Sequence, residues 1–159
     1  MEQSKQPIRR SVSLQPLSRE HHDGLMLCLK IRQGLKAAID PLRILKYLVW
    51  FAQEHLEPHF LAEEKYLLPL LSPDDPLVAR TLSEHAQLRL YFFKETLSAD
   101  ELARFADLLD DHIRFEERVL FQTLQERVVE DLLLAAMQRH EEQISCQVWQ
   151  DPYWQENNH

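Results

Sequence analysis

The pattern His-x-x-x-Glu-Glu-Lys/Arg-x-Leu occurs twice in this chain, as His59 to Leu67 and as His112 to Leu120. On a helix, residues four apart leave the same face one turn apart, so each copy stacks an imidazole on a carboxylate. A Leu-Ser-(x)-Glu-His stretch precedes each copy, ending at His21 and at His85. The repeated unit is thus a helix with one histidine followed by a helix with a histidine and a glutamate. Four such helices, folded together, converge four imidazoles and two carboxylates on one point.

The rest of the sequence fits a helical frame. Only Gly24 and Gly34 are glycine in 159 residues, and few β-branched runs occur, so helix is favoured over sheet. Such a length buries roughly two-thirds of the unfolded surface and forms one domain. The spacing predicts a polar arm over residues 1–16 and a first helix from near Ser18 to about Lys36. Asp40-Pro41 opens a second helix running to about Leu71. Its apolar seam reads Leu45, Val49, Ala52, Leu56, His59, Glu63, Tyr66 and Leu70, and Pro58 inside it predicts a kink. Ser72 to Pro76 is a turn. A third helix aligns Val78, Thr81, His85, Leu88 and Phe92. Ser98 and Glu101 form a capping box opening a fourth helix with Leu102, Phe105, Leu109, His112, Glu116 and Val119 on its seam. The expected architecture is an all-α, up-down-up-down four-helix bundle over residues 17–125. An additional C-terminal helix spans 126–147, with Ile144 on its apolar side, and a tail covers 148–159.

Composition narrows the function. A net charge of −8 argues against nucleic acid or an anionic membrane as partner. No apolar run approaches the ~20 residues of a membrane span. Cys28 and Cys146 form no Cys-x-x-Cys pair, and the N-terminus lacks a signal-peptide core, so a reducing cytoplasm is the expected location. The additional C-terminal helix could pack on the bundle or mediate a homodimer.

The seam positions of His59, Glu63, His112 and Glu116 carry the functional argument. A buried, unpaired carboxylate costs several kcal/mol, and two on facing seams also repel each other. The seams supply too few lysines or arginines to neutralise them. Divalent or trivalent cations do so: imidazole suits iron, zinc and copper, and carboxylates bridge metals about 3.5–4 Å apart. With His21, His59, His85 and His112 as terminal ligands, Glu63 and Glu116 as bridges and an oxygen bridge from water, open positions remain for oxygen, peroxide or nitric oxide. One histidine near an apolar face is usually an ordinary core residue; the repeated register is what points to metal. His22 competes with its neighbour His21, but His21 shares a stripe with Leu25 and Cys28. His55 borders the seam, at an entrance or partly exposed. His140 and His159 read as surface residues. Glu64 and Glu117 rotate off the seam toward surface Lys and Arg.

Leu17-Ser-Arg-Glu-His-His22, His59-Phe-Leu-Ala-Glu-Glu64 with Leu68-Pro69, Glu84-His85, and His112-Ile-Arg-Phe-Glu-Glu-Arg118 with Leu120-Phe121 together resemble the hemerythrin-like, or HHE cation-binding, domains. The resemblance covers residues 17 to 125. It implies a hemerythrin-like four-helix bundle around a non-haem di-iron centre, two iron ions joined by an oxo or hydroxo bridge, with zinc as a substitute. The implied ligands are His21, His59, Glu63, His85, His112 and Glu116. Oxygen-carrying members have a further histidine and an aspartate where this chain has Arg89 and Glu117. That difference disfavours reversible oxygen carriage and points to sensing or binding of oxygen, peroxide or nitric oxide. A di-iron redox enzyme acting on peroxide or nitric oxide, an iron-handling protein, and a metal-free helical interaction module are the alternatives.

Overall fold

The computed structural model describes residues 9–140 and 148–155, and among these it is all helical, without strands. We label the helices α1 (Gln15–Lys36), α2 (residues 41–70), α3 (Pro76–Arg89), α4 (residues 99–127) and α5 (Glu130–Met137). Single 3-10 turns at Val12–Leu14 and Tyr153–Gln155 flank them.

The helix starts follow local chemistry. The side chains of Asp40, Asp75 and Ser98 accept hydrogen bonds from the backbone N–H of Leu42, Leu77 and Glu101, and proline follows both aspartates where its missing N–H is not needed. Helix α1 begins at Gln15, earlier than Ser18, because Pro16 tolerates the first turn and Leu14 and Leu17 are already buried. It ends where Ile39 N–H bonds to Gly34 O and Ala38 N–H to Leu35 O. This Schellman closure puts Ala38 at φ 55°, a left-handed conformation usually given to glycine.

Helices α2 and α4 are not continuous α-helices. Helix α2 widens to π geometry at Ala52–Leu56 and again at Glu63–Leu67, and α4 does so at Glu116–Leu120. The irregularity expected at Pro58 takes the form of the first of these wide turns, in which Glu57 N–H reaches back to Ala52 O. The other two begin on the paired glutamates, with Leu68 N–H bonded to Glu63 O and Phe121 N–H to Glu116 O. A π turn holds an extra residue, so the buried face advances by one position. Of the residues expected on the seams, Tyr66 is only half-buried and Val119 is exposed, and Leu67 and Leu120 are fully buried instead.

Two apolar clusters fill the interior. One contains Leu27, Ile31, Leu48, Phe60, Leu88, Phe105 and Leu109; the other contains Leu17, Leu67, Phe115, Leu120, Phe121 and Leu133. Each histidine of the repeat lies between residues of the two: His21 between Leu17 and Leu27, His59 between Leu56 and Leu67, His112 between Leu109 and Phe115. His85 likewise lies between Val78, packed on the second cluster, and Leu88 of the first. The polar layer is therefore sandwiched between apolar ones. Cys28 is buried and free, its thiol pushed up to about 12 chiefly by burial.

Helix α4 continues to Arg127, and extended backbone at Val128 and Val129 separates it from α5. The additional helix therefore starts at Glu130 rather than 126, and the positions of Ile144, Cys146 and His159 lie outside the described residues. The tail folds back: Trp154 and Trp149 pack on Tyr47 at ring distances of 4.8 and 5.8 Å, and Tyr153 donates its hydroxyl to Lys30 O at 3.0 Å. Gly34 permits this approach. A Cβ there would lie 2.6 Å from the Tyr153 ring and 2.9 Å from Ile44, both buried. Gly34→Ala should therefore destabilise the protein by about 1–2 kcal/mol, overpacking outweighing the helix preference of alanine. Urea unfolding followed by tryptophan fluorescence checks this; an unchanged or raised midpoint contradicts the docking.

Candidate metal centre

Helix α1 supplies His21, α2 His59 and Glu63, α3 His85, and α4 His112 and Glu116. None of the six is more than 4% exposed, and both glutamates are fully buried. His22, by contrast, is exposed, and of the two neighbours it is His21 that is buried in the cluster. Glu63 Oε1 lies 3.2 Å from His59 Nε2 and 3.3 Å from His85 Nε2. Glu116 Oε1 lies 2.9 Å from His112 Nε2 and 3.1 Å from His21 Nε2.

These contacts define two four-residue groups able to hold a metal ion. His21, His59, Glu63 and Glu116 form one; His85, His112, Glu63 and Glu116 form the other. Both glutamates belong to both groups, which is the arrangement a bridging carboxylate requires.

The inward atoms are short of partners. His59 Nε2, His85 Nε2, His112 Nε2, both Glu63 oxygens and Glu116 Oε2 are buried without a hydrogen bond. Buried polar atoms are rarely left this way. Without a metal, protons must separate the charges. Burial, then the Glu116 charge, raises the Glu63 carboxyl to about 8. Burial alone would lower His112, but Glu116, Glu84 and Glu63 raise it to about 10. His21 and His85 are raised by the same balance of burial against carboxylates. Glu116 moves the other way: burial opposes its charge, yet His112 and the surrounding hydrogen bonds hold it well below the usual range.

The outer ring nitrogens are all engaged, and in a closed circuit. His59 Nδ1 meets Glu20 of α1 at 2.8 Å, and His85 Nδ1 meets Glu64 of α2 at 2.7 Å. His112 Nδ1 meets Glu84 of α3, and His21 Nδ1 meets Glu117 of α4, each at 2.8 Å. Each carboxylate is the sequence neighbour of one proposed ligand and holds the histidine of another helix. Such a partner fixes the proton on Nδ1, so that the Nε2 lone pair points inward.

Sequence reasoning placed Glu64 and Glu117 against surface Lys or Arg. They do pair with Arg89 and Arg10, at 2.8 and 2.9 Å, but they also anchor ligand-type histidines. Glu20 and Glu84 were visible only as the first letter of the two Glu-His pairs. His140 is a correction: its side chain is 5% exposed rather than on the surface, and its Nε2 lies 3.1 Å from both oxygens of Glu20. The departures at Arg89 and Glu117 belong to this outer layer, Arg89 also pairing with Glu57 at 2.9 Å.

A cavity of about 10 Å³, room for one water-sized molecule, adjoins His21, His59, His112 and Glu116 and is walled by Phe51, Leu56 and Ile113. His55 is half-buried on its lining, its ring 4.6 Å from Phe51, and burial lowers its pKa.

Comparison with protein families matches residues 13–124 to the hemerythrin HHE cation-binding domain. The chain belongs to that family, a cation-binding one, and the His/Glu cluster supplies a fitting donor set. No curated protein and no solved structure matches the chain. Among the described residues, no helix is long and apolar enough to cross a membrane.

The protonation pattern predicts a pH dependence. Glu63 and His112 both hold a proton more tightly folded than unfolded. Their contribution to stability is therefore present at low pH and is lost as pH rises through about 8 and about 10. Glu116, with a lowered pKa, contributes the opposite dependence, but only in acid, below the ordinary carboxylate value of 4.5. The metal-free protein should lose thermal stability between pH 6.5 and about 10, and metal should restore more of it at the alkaline end, because bound metal replaces those protons. Calorimetry of chelated and reloaded protein tests this; a metal-free midpoint rising over that range refutes it.

Proposed function

We propose that this protein is a non-haem di-iron protein that binds or senses oxygen or a related small ligand, such as peroxide or nitric oxide. His21, His59, His85 and His112 would be terminal ligands, and Glu63 and Glu116 the bridges. The observation that carries the reading is the pair of four-residue groups sharing both glutamates, with their inward atoms unpartnered. Ligand chemistry of this kind also suits zinc. The resemblance to the hemerythrin-like family favours iron, which would supply a redox-active centre with exchangeable positions.

The chain's own residues do the rest. The four outer carboxylates orient the imidazoles. Phe60 stacks on His85 at 4.0 Å and Phe121 on His21 at 5.1 Å, which keeps water from those rings. The small cavity beside His21 and His59, walled in part by Phe51, Leu56 and Ile113, has room for a molecule about the size of water, which supports a small ligand over an organic substrate. Alternation of the four main helices, as in an up-down-up-down bundle, is the architecture this reading uses. It is supported by the order in which successive helices run between the two apolar clusters: second to first in α1 and α3, first to second in α2 and α4.

Elemental analysis of protein loaded anaerobically with ferrous iron should give about two irons per chain, as two shared-carboxylate positions require. Glu63→Ala should lose both ions, because it removes a donor from each group, whereas His112→Ala should weaken one group first. Full iron in both variants would remove the assignment. Mixing the reduced protein with oxygen then distinguishes roles: a spectral change reversed by removing oxygen supports binding, and sustained consumption with an electron donor replaces that role with an enzymatic one.

A further inference from the structure

Behind the four carboxylates lies a third layer of basic side chains, and it is divided unequally. Glu64 and Glu84, which hold His85 and His112, pair with Arg89 at 2.8 Å and Arg80 at 2.8 Å. Both arginines lie on α3, inside the family domain. Glu117 and Glu20, which hold His21 and His59, pair instead with Arg10 at 2.9 Å and His140 at 3.1 Å. Those two residues lie on either side of the matched span of residues 13–124. The division follows the two metal groups: His21 and His59 belong to one, His85 and His112 to the other.

The two flanking segments are themselves tied together. Arg10 donates to the Glu117 carbonyl at 2.6 Å and to Gln125 at 2.8 Å, and its guanidinium lies 5.4 Å from the Phe121 ring that stacks on His21. Ser11 and Ser13 donate their hydroxyls to Glu130 at the start of α5, and His140 follows the end of that helix. The N-terminal strap and α5 therefore form one appended unit, gripping one half of the centre at two points.

We propose that Arg10 and His140 are positioning residues that set the affinity of the His21/His59 metal position, making it conditional on the seating of the strap and α5. The His85/His112 position is set within the bundle. The physical route is orientation. Glu117 is 27% exposed on its side chain, so without Arg10 it can turn toward water and release His21 Nδ1. The ring then no longer holds its Nε2 lone pair on the site. Glu20, 8% exposed on its side chain, holds His59 from a more enclosed position, with His140 Nε2 against both of its oxygens. The inference rests on the di-iron reading and adds to it an ordered, inequivalent loading of the two positions.

The test uses the full chain and ferrous iron under anaerobic conditions. Arg10→Met and His140→Leu should each weaken one of the two iron-binding steps by about three- to tenfold, less than the roughly 10–100-fold typical of losing the carboxylate partners themselves, because these residues act one step further out. The other step should be unchanged, and Arg10→Lys should recover part of the loss. In a His21→Ala background, which keeps only the His85/His112 position, Arg10→Met should have no further effect while Arg89→Met still weakens binding. Independently of any variant, iron should slow hydrogen exchange of the unmodified protein in residues 9–14 and 130–140. Two irons bound with unaltered affinity in Arg10→Met and His140→Leu overturn this inference alone, as does exchange in both segments that ignores iron. No iron in the unmodified chain overturns the di-iron reading and this inference with it.

Discussion

Two fully buried carboxylates on facing helices are the constraint around which the molecule is arranged. Glu63 and Glu116 are both without exposure to solvent, and an ion in such a place costs several kcal/mol unless opposite charge meets it. Four imidazoles surround the pair, and their Nδ1 protons are directed outward to other carboxylates. Neutral rings so oriented present lone pairs to anionic oxygens, an arrangement that repels unless a proton or a cation stands between. The raised Glu63 carboxyl and raised His112 describe the proton solution. The two shared donor groups describe the cation solution.

The closed circuit of outer carboxylates explains why the motif is longer than its ligands require. A lone His-x-x-x-Glu stacks two donors on one helix but does nothing to fix the ring. Placing an acid beside each donor lets every helix orient the histidine of another: α1 holds α2, α2 holds α3, α3 holds α4, and α4 holds α1. Each link is an interhelical contact, so the orientation of the rings and the docking of the helices are one condition. A helix displaced along its axis would break two links, one at its histidine and one at its acid.

Much of this could be read from the chain, for identifiable reasons. The starts of α2 and α4 were legible because Asp40-Pro41 and Ser98 act through local chemistry that tertiary context leaves alone, whereas those of α1 and α5 were misplaced by three and four residues. The six inward residues were legible because period and repetition agreed. The seams beyond the glutamates were not, since a π turn depends on what the side chain at its start must reach, and a 3.6-residue period continues blindly through it. That is why Tyr66 and Val119 were placed inward where Leu67 and Leu120 are found. The roles of Glu20 and Glu84, and the burial of His140, were hidden for a different reason. Each pairing spans helices far apart in sequence, and an acidic residue beside a histidine looks the same whether it faces water or a neighbouring ring.

The π turns that start at Glu63 and Glu116 also tie local backbone geometry to the site. Each begins at a bridging-type glutamate and lies at the same point of the repeat, so the irregularity is a property of the motif and not of one helix. In regular α geometry the positions three and four after each glutamate would share its face, whereas the wider turns move Tyr66 and Val119 off it and keep Leu67 and Leu120 in the second apolar cluster. With the wider turns the glutamates face the polar layer, and Leu67 and Leu120, each four positions later, close the apolar one. The helices thus widen where the thin charged slice, apolar on both sides, crosses them. At this local departure the polar centre and the apolar layer that isolates it from water meet.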